Sequence, residues 1–300
     1  LNWFESYFDF KEFQRLELKK KVDRFLEWHR KSELPKIVYF LEDFKLRHKD
    51  GFDKSDINWV KSELNFLHSG TSGDLIYALA VMNKISLTRK CNFYINVNKK
   101  FTYEYYKHNG DGYLISERMF NLLLPLLKEQ KFLNIVKRYE GEKIDVDLDL
   151  FRELPWNNTF NSPRWYFHIT GEQEDLSLPY MFVDKHPTIN DRIVIQRTFR
   201  FRNIYINYEF IKNYESALFV GIKEEYDDLK KQIPNLEFYE PKDFLEIAQI
   251  IKSSKFFVGN QSVCYPIAEA LKVPRLLEAS PDYPVVQPIG NNSFDFYFQP

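Results

Sequence analysis

The chain has 300 residues, 44% hydrophobic and 28% charged, with a net charge of −1. That length is long for one compact domain and comfortable for two of roughly 110–150 residues, and the balanced charge argues against a dedicated nucleic-acid binder. The longest apolar stretch, Leu122 to Leu127, contains Pro125 and is too short to span a bilayer, while Cys91 and Cys264 match no metal spacing and suit a reducing, cytoplasmic setting.

Residues 1–63 read as a helical extension. Phe13, Leu16, Val22, Phe25 and Leu26 recur at broadly helical spacing around Lys19-Lys20-Lys21. The segment is either a helix packed on its own domain with a solvated lysine face or a basic helix touching a membrane surface or a partner. Glu12, Glu17, Asp23 and Glu27 dilute the basic face and favour the first reading. The start at Leu1 rather than Met leads us to expect an upstream domain of the same chain as a partner.

From Leu64 the texture becomes alternating strand and helix. Leu64–Leu67, Cys91–Val97 and Phe132–Val136 read as strands; Leu75–Ile85 and Ser116–Gln130 read as helices, the second capped by Ser116. Residues 141–190, with Pro155, Pro163, Pro179 and Pro187, read as loops, short elements and a crossing between domains. Then come strands at Arg192–Gln196, Ser216–Val220, Leu236–Tyr239, Phe256–Val258 and Arg275–Leu277, and helices at Lys223–Ile233, Pro241–Lys252 and Ser262–Leu271. Strand and helix alternate about every 20 residues, which calls for parallel sheets covered on both faces. The expected architecture is α/β: two Rossmann-like domains facing a cleft, residues 64–187 and 188–300, behind the helical extension.

Two loops carry candidate chemistry. His68-Ser69-Gly70-Thr71-Ser72-Gly73-Asp74 joins a strand to a helix, so it lies where ligands bind in such folds. Asp74 is either a helix-capping carboxylate or a general base aimed into the cleft. The loop has neither the Gly-Lys-Ser/Thr ending of a P-loop nor the full Gly-x-Gly-x-x-Gly pattern. The second loop, Gly259-Asn260-Gln261-Ser262, separates an apolar strand from a helix whose unpaired first N–H groups suit an anion. Glu225 is a helix-start carboxylate or an acceptor for a ribose or sugar hydroxyl. Cys264 has no partnered histidine nearby and reads as a small buried residue, as His68 reads as structural; Tyr103, Tyr105 and Tyr106 are candidates for an acceptor groove.

Gly73-Asp74-Leu75-Ile76-Tyr77-Ala78-Leu79 resembles the first motif of the heptosyltransferase-like glycosyltransferases of family nine. Phe257-Val258-Gly259-Asn260-Gln261-Ser262 with Ile267-Ala268-Glu269-Ala270-Leu271-Lys272-Val273-Pro274 resembles their second, about 185 residues on. The resemblance spans roughly Leu64 to Asn292 and implies the GT-B fold. It implies transfer of a sugar from a nucleotide-diphosphate sugar to a saccharide or glycoconjugate acceptor. Asp74 inherits the role of acceptor-activating base, with Ser72 and Gly73 beside it, and Asn260, Gln261 and Ser262 cradle the donor diphosphate. Such enzymes generally manage without a metal or other cofactor, so the leaving diphosphate needs cationic side chains; of Arg197, Arg200 and Arg202, Arg197 lies closest to a strand end and is the favoured clamp. The chain departs from the second motif: Gln261 replaces an aspartate, and Val263-Cys264-Tyr265-Pro266 replaces a Gly-Pro-x-His run. Two rival readings therefore stand, a nucleotide-sugar epimerase and a non-catalytic transferase-like module kept for binding or assembly.

Overall fold

A computed structural model of the protein describes residues 63–101, 112–153, 161–173 and 175–298, all within the compact unit Val60–Pro300. The helices expected before residue 63, and Tyr103, Tyr105 and Tyr106, lie outside the described residues.

The first half is a parallel four-stranded sheet. Its elements are β1 (Glu63–His68), α1 (Ser72–Ile85), β2 (Lys90–Ile95), α2 (Glu117–Lys128), β3 (Leu133–Arg138) and β4 (Val146–Asp147), with strand order β3-β2-β1-β4. Everything in β2 after Lys90 is buried, as a strand covered on both faces requires. Helix α1 is apolar almost all round; Leu75, Ile76, Ala78, Leu79, Val81 and Met82 are buried together, which marks a helix enclosed by other elements. Ser116 caps α2 by accepting from the Met119 N–H. The short elements of the proline-dotted stretch are β4, a 3-10 turn (Leu148–Glu153) and α3 (Ser162–Thr170). Pro163 sits in the first turn of α3, where proline starts a helix rather than breaking it.

The second half is a parallel six-stranded sheet, ordered β10-β9-β8-β5-β6-β7. Its elements are β5 (Ile193–Gln196), β6 (Ala217–Val220), α4 (Lys223–Lys230), β7 (Glu237–Tyr239), α5 (Phe244–Ser253), β8 (Phe256–Asn260), α6 (Cys264–Leu271), β9 (Arg275–Glu278) and β10 (Ser293–Phe296). Strand β10 was not expected, and two of the boundaries that differ from expectation have a clear local cause. Helix α5 starts after Asp243, whose carboxylate accepts from the Glu246 N–H, rather than at Pro241. Strand β8 runs past Gly259 to Asn260 because Asn260 pairs with Glu278 of β9, so α6 begins at Cys264 rather than Ser262.

Alternate residues of the second sheet feed two cores. Val194, Leu218, Val220 and Phe257 join a cluster that continues through α1, α3 and the first sheet. Ile195, Ala217, Phe219 and Val258 point to a separate cluster under α4. The two sheets thus share one continuous apolar core. Among the described residues no helix is long and apolar enough to cross a membrane.

Candidate active site in a cleft between two sheets

Both sheets reverse their strand order once. In the first, β2 and β4 leave β1 on opposite sides; in the second, β6 and β8 flank β5. Loops diverge at such a switch point and leave a crevice at the carboxyl ends of the strands. Here the two crevices open onto one cavity of about 1390 Å³, lined from the first half by Ser72, Gly73, Asp74 and Arg152 and from the second by Arg200, Glu225, Gln261 and Ser262.

The first wall is built on Asp74. Its Oδ2 accepts from the Thr71 backbone N–H at 3.0 Å and the Thr71 hydroxyl at 3.1 Å, a capping interaction that folds the carboxylate back over the start of α1. This needs Gly70: a Cβ there would lie 2.8 Å from the Asp74 Cβ and 2.5 Å from the His68 ring. Arg152 reaches Asp74 at 3.6 Å and Asp149 at 2.8 Å while its guanidinium lies over the Phe151 ring, 4.3 Å from the centroid. Asp149 ties the switch point together. It accepts from the Ser69 N–H at 2.9 Å, from the Ser69 hydroxyl, and from Lys99 at 2.9 Å. Burial opposes its charge, but the Arg152 guanidinium and the Ser69 hydroxyl outweigh burial and hold its carboxyl below the usual range. His68 is fully buried: its Nδ1 accepts from the Gly70 N–H at 2.8 Å, which leaves Nε2 facing the Tyr166 hydroxyl at 2.8 Å. It is a structural histidine.

The second wall is built on β5 and β8. At Gly259 a Cβ would meet the Gln196 carbonyl at 2.8 Å, so these two strands close up only over glycine. The Ser262 hydroxyl donates to Gln196 Oε1. Gln261 Nε2 donates to the Tyr283 carbonyl at 2.7 Å. Glu225, in the first turn of α4, is buried and accepts from the Phe199 N–H at 3.3 Å; burial pushes its carboxyl up.

No protein-family model matches the sequence, and no curated protein does. Solved structures do match in shape. E. coli heptosyltransferase WaaC, solved with ADP-2-deoxy-2-fluoro heptose, superposes with a TM-score of 0.51 at 9% identity over 78% of this chain and 92% of that one. E. coli ADP-heptose LPS heptosyltransferase II gives 0.52 at 11% over 78% and 90%. A family 9 glycosyl transferase from Veillonella parvula gives 0.51 at 9% over 79% and 86%. The fold is GT-B. At these identities the likeness speaks for architecture.

Within the GT-B cleft the structure brings together Ser72, Gly73, Asp74, Glu225, Gln261 and Ser262 of the residues singled out from sequence. Two others point elsewhere. Arg197, the favoured clamp, is buried: its Nε and Nη2 donate to the two oxygens of Glu278 at 2.7 and 2.8 Å, and it lies over the Tyr208 ring. The cleft wall is lined by Arg200 and Arg202 instead. Asn260 is fully buried, and its amide pins the loop after β5, donating to the carbonyls of Thr198 (3.0 Å) and Arg200 (2.7 Å) and accepting from the Thr198 N–H (3.1 Å). It positions the wall rather than facing the cavity. Cys264 is buried, as expected, and burial pushes its thiol up. Sequence reasoning missed Asp149, Arg152 and Trp165, which sit in the stretch read as loops and short elements; an Asp-x-x-Arg pair without a strong period around it gave no signal.

Proposed function

We propose that the protein is a glycosyltransferase that moves a sugar from a nucleotide-diphosphate sugar to a hydroxyl of a saccharide or glycoconjugate acceptor. The observation that carries this reading is that Asp74 and the Gln261–Val263 turn, from separate switch points, line one cavity. An acceptor hydroxyl must lose its proton as its oxygen attacks the anomeric carbon, and a fixed carboxylate takes that proton. The new C–O bond forms as the bond to the diphosphate breaks. The nucleoside diphosphate leaves with the bonding electrons, opposite Arg200, whose charge offsets the developing negative charge without a metal ion. The unpaired, buried Cys91 and Cys264 support the cytoplasm as the setting.

WaaC was solved with an ADP-heptose analogue, so ADP-linked sugars head the donor panel. With donor and an acceptor panel, Asp74→Asn should reduce turnover at least ~100-fold and leave donor affinity within about twofold of wild type; undiminished turnover rejects Asp74 as base. The neutral Gln261 on the diphosphate turn favours one rival, a cleft that binds and does not turn over. That rival predicts saturable nucleotide binding with no product across the panel.

A further inference from the structure

Phe199 has no role in the chemistry above, yet the residue is 55% exposed and lines the cavity wall. A large aromatic left in water at a cleft costs apolar hydration that folding normally removes. Its conformation is fixed from behind. The Arg202 guanidinium lies over the ring at 4.5 Å and is itself ion-paired with Asp228 at 2.5 Å. The Phe199 N–H is held by Glu225, and the residues on either side are pinned through Asn260. One ring face is thus backed by a fixed cation, and the ring lines a cavity.

Topology says what meets it. On the donor reading, a diphosphate at the β5 switch point would rest against Ser262 and Arg200, both on the cavity wall. Glu225 follows β6, on the opposite side of β5 from β8. A nucleotide lying across this wall therefore has its phosphates over β8 and its nucleoside over β6, where Phe199 and Glu225 meet. Resting on the donor reading given above, we infer that Phe199 is the stacking platform for the donor's nucleobase, forming a base–Phe199–Arg202 sandwich. Every base has a π face, so the platform supplies affinity without choosing among bases.

The test is titration of the intact protein and of Phe199→Ala and Phe199→Tyr with ADP, UDP and inorganic pyrophosphate, with the melting temperature checked for each. The platform predicts that Phe199→Ala weakens ADP and UDP by about 5- to 150-fold, spares pyrophosphate, and is rescued by Phe199→Tyr. Unchanged nucleotide affinity in Phe199→Ala overturns the platform and leaves the donor reading standing. Equal loss for pyrophosphate also overturns it, because Phe199 then acts through the phosphates. If wild type binds neither nucleotides nor pyrophosphate, the donor reading itself fails, and the platform with it.

Discussion

The Glu278 carboxylate is fully buried and accepts from Arg197 twice, from the Asn203 N–H at 2.7 Å and from the Tyr208 hydroxyl at 2.8 Å. Removing one side of such a pair strands the other charge. Arg197→Ala should therefore lower unfolding free energy by about 3–5 kcal/mol, measured by chemical denaturation, whereas a clamp role would show chiefly as lost nucleotide affinity. Glu225 behaves in the opposite sense. Its folded carboxyl is raised by burial, so at neutral pH the fold holds a charge that the unfolded chain accommodates more readily. Glu225→Gln should stabilise the apo protein at pH 7 and weaken nucleotide binding. Asp149 is depressed, so its stabilising contribution is complete above about pH 4, the ordinary aspartate range, and is lost as pH falls further. Asp149→Asn should be less stable at pH 7 and lose less on acidification below pH 4, in denaturation curves taken across that range. The glycine-aspartate motif made Asp74 legible in sequence. Arg197 was misjudged because closeness to a strand end does not say which way a side chain turns; Glu278, 81 residues away, decided that.

The loop Thr198–Ile206 is the element on which the second wall depends. Phe201 in it has φ 58°, a left-handed conformation that costs a non-glycine residue on the order of 1–3 kcal/mol. Asn260, the Arg202–Asp228 pair and Asn203 hold it there. Asn260→Ala removes the Oδ1 that accepts the Thr198 N–H, so amide hydrogen exchange at Thr198 should accelerate by at least ~5-fold, a loss of ~1 kcal/mol, while exchange in β5 and β8 stays slow. Most elements here were legible because long apolar runs alternate with amphipathic ones. Strand β4 has two residues and the 3-10 turn after it six, too few to display a period. The strand end at Gly259 was misplaced because a glycine that permits close strand approach looks, in sequence, like one that ends a strand.

Across the whole molecule, two switch points open onto one cavity. The sequence made both Rossmann-like halves recognisable through their alternation, and the paired motifs hinted that the halves face each other. The continuous core was not legible. It depends on α1 packing against α6, where a Cβ on Gly73 would touch Pro266 at 3.4 Å, and no local pattern records such a contact. The most direct test is a crystal structure of the intact protein soaked with a nucleotide-diphosphate sugar, beginning with an ADP-linked one. The expected result is the diphosphate against the Gln261–Val263 turn and Arg200, with the anomeric carbon facing Asp74. A donor bound with its diphosphate away from that turn, or no bound donor at millimolar concentration across the panel, would contradict it.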